Sequence, residues 1–219
     1  MPLDIILVAF LAAFVLLRLR SELGKKTGNE PRPPAAGQQD NDQLHGPHED
    51  YEHTDQLILE AEVIDLEENP ALRHAYSDIR KADPGFDLAQ FMDGAKSAYG
   101  MILEAFWNAD KETLKDFLDA AVLAKFSSAI DTLEADGLTV DNQLLDITKT
   151  EVVAAELTGR VAQLTVHFTS DVVAVTRDKD SKIVQGDASG SVEMNDTWTF
   201  ERDVKSREPA WTLVATSAG

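Results

Sequence analysis

The segment from Phe86 to Phe106 constrains the fold more than any other, because its apolar residues recur at the spacing of one helix face. Pro84-Gly85 interrupts the chain just before it, and Asp87 is placed to cap the first helical turn. We therefore predict a core helix around which the rest of the fold packs. A second interpretation is that the aromatic stripe also roofs a pocket. The apolar positions are Leu88, Phe91, Met92, Ala95, Ala98, Tyr99, Ile102, Leu103 and Phe106.

Residues 1–20 form an apolar run in which Asp4 and Arg18 are the only charges between Leu3 and Leu19. A helix of this length spans about 25 Å, slightly less than the ~30 Å hydrocarbon core of a bilayer. Basic residues follow the run rather than precede it, which predicts an uncleaved transmembrane anchor with the following chain in the cytoplasm. A cleaved signal peptide and a buried or peripheral amphipathic helix are the alternatives.

Residues 21–70 have the composition of a linker. Pro, Gly, Gln, Asn and Asp dominate its first part, and from Asp40 to Glu68 there are many acidic residues but no Lys or Arg. Such a segment buries too little apolar surface to offset its ordering entropy, so we predict a flexible acidic linker. Leu57–Glu68 mixes apolar and acidic residues, which fits a partner-docking segment or, as we favour, a loosely packed arm.

Residues 71–219 are predicted to form one domain in which helices come first and strands follow. A short helix ends near Ala82, and further helices are predicted after Asp110 and from Ala120. From Leu145 onwards, apolar and polar residues alternate, which is typical of strands with one dry face. This order favours an α+β fold, with helices packed on an antiparallel sheet.

Composition narrows the possible functions. The formal net charge is −19, which would repel a polyanion, so we expect no nucleic-acid partner. The chain contains no cysteine, which excludes disulfides and thiolate nucleophiles. No phosphate-cradling glycine loop, Ser-His-Asp order or metal-ligand spacing is present, so we expect neither a cofactor, nor a metal, nor an enzyme.

Two blocks of sequence, at 86–118 and 196–216, are similar to a known family when taken together. The first is the aromatic helix and the helix after it; the second is an aromatic strand, a Glu-Arg pair, a short loop and a final Trp strand. Over roughly residues 72–216 they resemble the Tim44-like domain family, in particular its TimA branch of alpha-proteobacteria, which also has an anchor and a polar linker. The matching positions are Phe86, Phe91, Gly94, Ala95, Ala98, Tyr99, Ile102, Ala105, Phe106, Asp110, Leu114, Leu118, Trp198, Thr199, Phe200, Glu201, Arg202, Pro209, Trp211, Leu213 and Thr216.

The resemblance implies a cystatin-like fold, related in shape to the nuclear-transport-factor-two-like group. In that fold a curved antiparallel sheet wraps a long helix and can leave an apolar pocket. The mitochondrial relative implied by the family is a membrane-bound adaptor that tethers a DnaK-type chaperone to the import channel and contacts lipid. This chain has an anchor and an acidic tether where that relative has a long chaperone-binding region, so chaperone recruitment is not carried over.

The function expected from the resemblance is therefore a membrane-anchored adaptor or scaffold. Its C-terminal domain would bind protein or lipid at the cytoplasmic surface of a bacterial inner membrane, held by a single pass. The alternatives are a small pocket enzyme of the same fold, and a membrane-protein assembly or ribosome-associated factor.

The candidate binding residues are aromatic side chains predicted to face each other across the domain. Strand parity turns those of the strands towards those of the helix, and they either fill a core or leave a groove for an apolar guest. They are Phe91, Tyr99, Phe106, Phe168, Trp198, Phe200 and Trp211.

Two titratable residues test the enzyme alternative. His167 has the parity of the face opposite to the apolar residues, so it is predicted to point away from a pocket. Asp196 has the parity of the apolar face, where a buried carboxylate with a raised pKa could act as a base. We favour instead a bulge at Asn195-Asp196 that turns this carboxylate outward.

Overall fold

The computed structural model of the chain describes residues 69–206 and 208–218. Within that range four helices come first: α1 (Pro70–Ala82), α2 (Leu88–Trp107), α3 (Lys111–Phe117) and α4 (Ala120–Ala135). Each begins after a side chain that accepts hydrogen bonds from free backbone N–H groups, as Ser, Thr, Asp and Asn do at helix starts. These caps are Asn69, Asp87, Asp110 and Asp119, and the predicted capping by Asp87 and Asp110 is confirmed.

Seven strands follow in the described part of the chain. They are β1 (Thr139–Val140), β2 (Gln143–Thr158), β3 (Val161–Val173), β4 (Val175–Arg177), β5 (Ile183–Gly186), β6 (Val192–Asp203) and β7 (Thr212–Ala218). The long strands form an antiparallel sheet in the order β2-β3-β6-β7, and the short ones form a second sheet in the order β1-β4-β5. The predicted α+β fold, with helices packed on antiparallel strands, is confirmed.

The second sheet includes part of the charged segment 177–187. The chain leaves the main sheet at Ala174, and β4 and β5 pair as a small hairpin. Gly186 lies at the open end of this hairpin, opposite Val175, with φ +88°, and a Cβ there would lie 1.8 Å from the carbonyl oxygen of Ala174. Only glycine fits this close approach.

The core lies between one face of the main sheet and α2. Every second residue of β3 is buried, from Ala162 to Val172, as the alternation predicted. On α2 the buried set includes Tyr99 and Ile102, each with none of its surface exposed. Burying a large apolar side chain of this kind contributes about 1.5–3 kcal/mol, so the helix and the sheet stabilise each other.

The predicted membrane anchor at 1–20 and nearly all of the predicted linker at 21–70 lie outside the described residues. Across 69–206 and 208–218, no helix combines the length and the apolar character needed to cross a membrane.

Candidate functional site

The predicted aromatic residues form a continuous row through the core. Phe91 contacts Trp211 and Phe200, with ring centroids 4.8 and 6.0 Å apart. Phe200 lies 6.3 Å from Trp198, which in turn lies 4.7 Å from Tyr99. Such tilted and edge-on contacts are favourable beyond the area they bury. The row therefore couples the first half of α2 to the middle of β6 and the start of β7.

The remaining aromatic residues extend this packing in two directions. Phe168 stacks on Tyr99 at 4.3 Å, whereas Phe106 packs against Phe126 of α4 at 5.2 Å. All seven predicted residues are buried except Trp211, which is partly exposed. Their role in binding an apolar guest stays a prediction.

A polar cluster interrupts the apolar core at Tyr99. The Tyr99 hydroxyl donates to Asp196 Oδ2 at 2.7 Å and lies 3.0 Å from Ser170 Oγ. Tyr99 and Ser170 have no exposed surface, and burial raises the pKa of both Tyr99 and Asp196. Sequence reasoning missed Ser170, although its parity with Phe168 and Val172 was a usable signal.

The expected bulge at Asn195-Asp196 is wrong. β3 and β6 pair without a register shift, and Asp196 lies opposite Phe168, so its side chain points to the core face. The partner that makes this placement possible is the Tyr99 hydroxyl, 97 residues away in the chain. A contact across that distance leaves no signal in the local sequence. The expectation of a bulge therefore depended only on the local preference of Asn-Asp for such a site.

A second polar contact closes the opposite end of the core. Arg202 pairs with Asp83 in the α1–α2 connection, and its guanidinium lies 5.2 Å from the centre of the Trp211 ring. Lys205 Nζ donates to the carbonyl oxygen of Ala82 at 2.6 Å. The hairpin between β6 and β7 is thereby tied to the end of α1. Glu201 instead accepts a hydrogen bond from Gln163, so Glu201 and Arg202 pair with different neighbours.

The outer face of the sheet carries a row of polar cross-strand pairs. Thr165 and Thr199 lie 3.0 Å apart between their hydroxyl oxygens, and His167 Nδ1 lies 3.0 Å from the Thr197 hydroxyl. The outward position predicted for His167 is confirmed. Opposite charges and hydroxyl pairs of this kind stabilise a sheet modestly.

An open cleft of about 710 Å³ lies on this outer face, where β3, β6 and β7 meet the β6–β7 connection. Carboxylates dominate its charged lining, with Asp119, Glu201, Asp203 and Glu208 around it. Arg160 pairs with Asp203 at 2.8 Å, and Arg202 is engaged by Asp83. The cleft is therefore suited to binding a positively charged group. Sequence reasoning did not find it.

The described residues hold no group of three or more His, Asp or Glu side chains placed to bind a metal ion. The acidic outer cleft is open, whereas the aromatic row is almost entirely buried. His167 contacts Thr197, and Asp196 accepts a hydrogen bond from Tyr99.

The family model described as "Tim44-like domain" matches residues 72–218. This chain belongs to the Tim44-like domain family. The match begins in α1 and ends in β7, so the described helices and strands together make up the Tim44-like domain.

Two curated relatives share this region. A probable mitochondrial import inner membrane translocase subunit, tin-44 of Caenorhabditis elegans, is 27% identical over 63% of this chain and 33% of its own length. The mitochondrial import inner membrane translocase subunit TIM44 of Homo sapiens is 26% identical over 65% of this chain and 32% of its own length. The match thus spans about a third of these relatives.

Among solved structures, the intermembrane space region of the chloroplast protein ARC6 aligns with a TM-score of 0.42 and 16% identity. The alignment covers 58% of this chain and 95% of that one. At this similarity the alignment supports no conclusion about fold or function.

Proposed function

We propose that this chain is a membrane-anchored adaptor whose Tim44-like domain binds a partner protein or lipid at the surface of a bacterial inner membrane. The observation that supports it is the family match over residues 72–218, with relatives named as subunits of an inner membrane translocase. The apolar run at 1–20, followed by basic residues, supports a single-pass anchor with the domain in the cytoplasm.

Helix α1 supports a position close to lipid. In a chain of net charge −19 it carries the bases Arg73, Arg80 and Lys81 against a single acid, Asp78. Basic residues near an anionic membrane surface contribute about 1 kcal/mol each. α1 is also the first described helix after the predicted linker, so the tether joins the domain at this basic helix.

We propose binding rather than catalysis. Tyr99 and Asp196 hydrogen-bond to each other in the core, so neither is poised towards a substrate. The net negative charge likewise disfavours direct contact with RNA, and with it the ribosome-associated alternative.

Affinity purification of the full chain in mild detergent tests the adaptor role. One control replaces residues 1–20 with an unrelated membrane anchor, and a second retains residues 1–68 alone. We expect the same proteins to co-purify with the full chain and the anchor swap, but not with residues 1–68. Co-purification of rRNA and ribosomal proteins would favour the ribosome-associated alternative, and the absence of any specific protein would reject the adaptor role.

Topology is tested separately with reporters fused after Gly219. A cytoplasmic fluorescent reporter should be active, and a reporter that works only in the periplasm should stay silent, because the bases follow the apolar run. The opposite pattern would overturn the orientation and favour a cleaved signal peptide.

A further inference from the structure

The two edges of the main sheet differ in how well they are protected against pairing with another chain. β2 forms one edge; it has three register shifts, carries the Lys149–Glu151 ion pair at 2.7 Å and lies against α1. Bulges, charges and covering helices are the usual means by which proteins block an edge strand. β7 forms the other edge, and its residues Thr212–Ala218 include no charged residue and no proline.

Among the described residues, another backbone segment pairs with the free side of β7 at its start. The N–H of Asp119 donates to the carbonyl oxygen of Leu213 at 3.0 Å, and Leu118 forms a parallel bridge with the same residue. Within residues 69–206 and 208–218, the backbone pairing that β7 makes outside its ladder with β6 is at Leu213. Beyond it, Ala215, Ser217 and Ala218 are exposed. In an edge strand every second residue turns its N–H and C=O outward, so several backbone groups there face solvent.

The acidic cleft adjoins this free edge. Thr212, Val214 and Ala215 of β7 line the cleft together with the carboxylates of Asp119, Glu201 and Glu208. β7 itself has one bulge, at Val214, opposite Thr199 and Phe200. A strand added beyond residues 214–218 of β7 would have these carboxylates near its end next to Thr212, while the bases Arg160 and Arg202 are already paired.

We propose that the free edge of β7 takes an extended, cationic peptide segment of a partner protein as an additional strand of the sheet. Backbone hydrogen bonds to residues 214–218 give the affinity, and lysine or arginine side chains of the segment reach into the cleft. In β-strand addition of this kind, main-chain hydrogen bonds provide the affinity and side-chain contacts provide the selectivity. The inference deepens the proposed adaptor function by naming the surface and chemistry of its partner.

Hydrogen–deuterium exchange of the full chain in zwitterionic lipid nanodiscs tests the proposal. The probe is a short synthetic peptide of alternating valine, threonine and lysine. We expect it to slow amide exchange in 212–218 and to leave β2 unchanged. A peptide in which proline replaces the central valine should give no protection, since proline cannot continue the ladder. Equal protection by both peptides, or protection at β2 instead, would overturn strand addition at β7.

The charge contribution is tested by the double variant Glu201→Gln, Glu208→Gln, which should weaken peptide binding about tenfold. Glu104→Gln, Glu134→Gln is the matched control, because both acids are exposed on helices and the net charge changes equally. Equal losses in the two variants would reject the cleft as the source of selectivity. Protection of β7 that depends on protein concentration without peptide would mean that a second copy is the occupant, which also contradicts the proposal. If the peptide does not protect β7, strand addition is rejected. The adaptor role is tested separately, by co-purification.

Discussion

The two faces of the main sheet are made by alternate residues of the same strands, yet they differ in how much each side chain depends on its neighbours. On the inner face, Trp198 is 3% exposed and touches three other aromatic rings. On the outer face, the next residue, Thr199, has one hydroxyl contact, to Thr165, and lies at an open cleft. The comparison indicates that stability resides on one face, which leaves the other available for recognition.

The largest effect is expected for Trp198→Ala. Removing this indole leaves a cavity among packed aromatic rings, so the free energy of unfolding should fall by roughly 3–5 kcal/mol. Urea unfolding followed by circular dichroism measures it. If the loss is smaller, and the parent binds an apolar fluorescent probe that the variant does not bind, the aromatic row lines an open groove.

A loss of roughly 2–3 kcal/mol is expected for Asp83→Asn, because Arg202 would keep a largely buried charge without its counter-ion. The matched change on the outer face is Glu201→Gln. Glu201 is next to Arg202 in sequence, but its side chain is hydrogen-bonded to Gln163 at a partly exposed site. Urea unfolding should show a much smaller change there. Similar losses for both variants would contradict the distinction between the faces.

Asp196→Asn should change the pH dependence of the free energy of unfolding. At neutral pH, the variant and the parent should differ by about 1 kcal/mol. Burial raises the pKa of Asp196 in the folded state. Its contribution to stability is therefore complete below the ordinary value of 3.8 and is lost as the pH rises through the raised pKa. The variant lacks this loss, so its free energy of unfolding should rise relative to that of the parent as the pH increases from acidic to neutral. Parallel unfolding curves across that range would show that the carboxylate is not desolvated.

Thr199→Ala should have the smallest effect, within about 0.5 kcal/mol, because its hydroxyl and that of Thr165 can both bond to water. Differential scanning calorimetry should show an almost unchanged melting temperature. A loss as large as that of Asp83→Asn would mean that the outer polar row holds the sheet together.

Sequence patterning was sufficient for the parts of the fold that depend on local spacing. The apolar period located α2, and strand parity placed Phe168, Trp198 and Phe200 on the inner face. What it could not supply were contacts between distant elements. The Tyr99–Asp196 hydrogen bond and the Asp83–Arg202 pair join residues 97 and 119 positions apart. The outer cleft is formed by three strands and a loop, so no single segment of sequence indicates it.

These long separations also bear on how the protein is made. α2 leaves the ribosome well before β6, because Tyr99 precedes Asp196 by 97 residues. At about 5–20 residues per second, its aromatic face waits roughly 5–20 s for the strand that covers it. Each nascent chain therefore passes through an interval in which an uncovered apolar helix is exposed, and co-translational protection of that helix would govern the yield of folded protein.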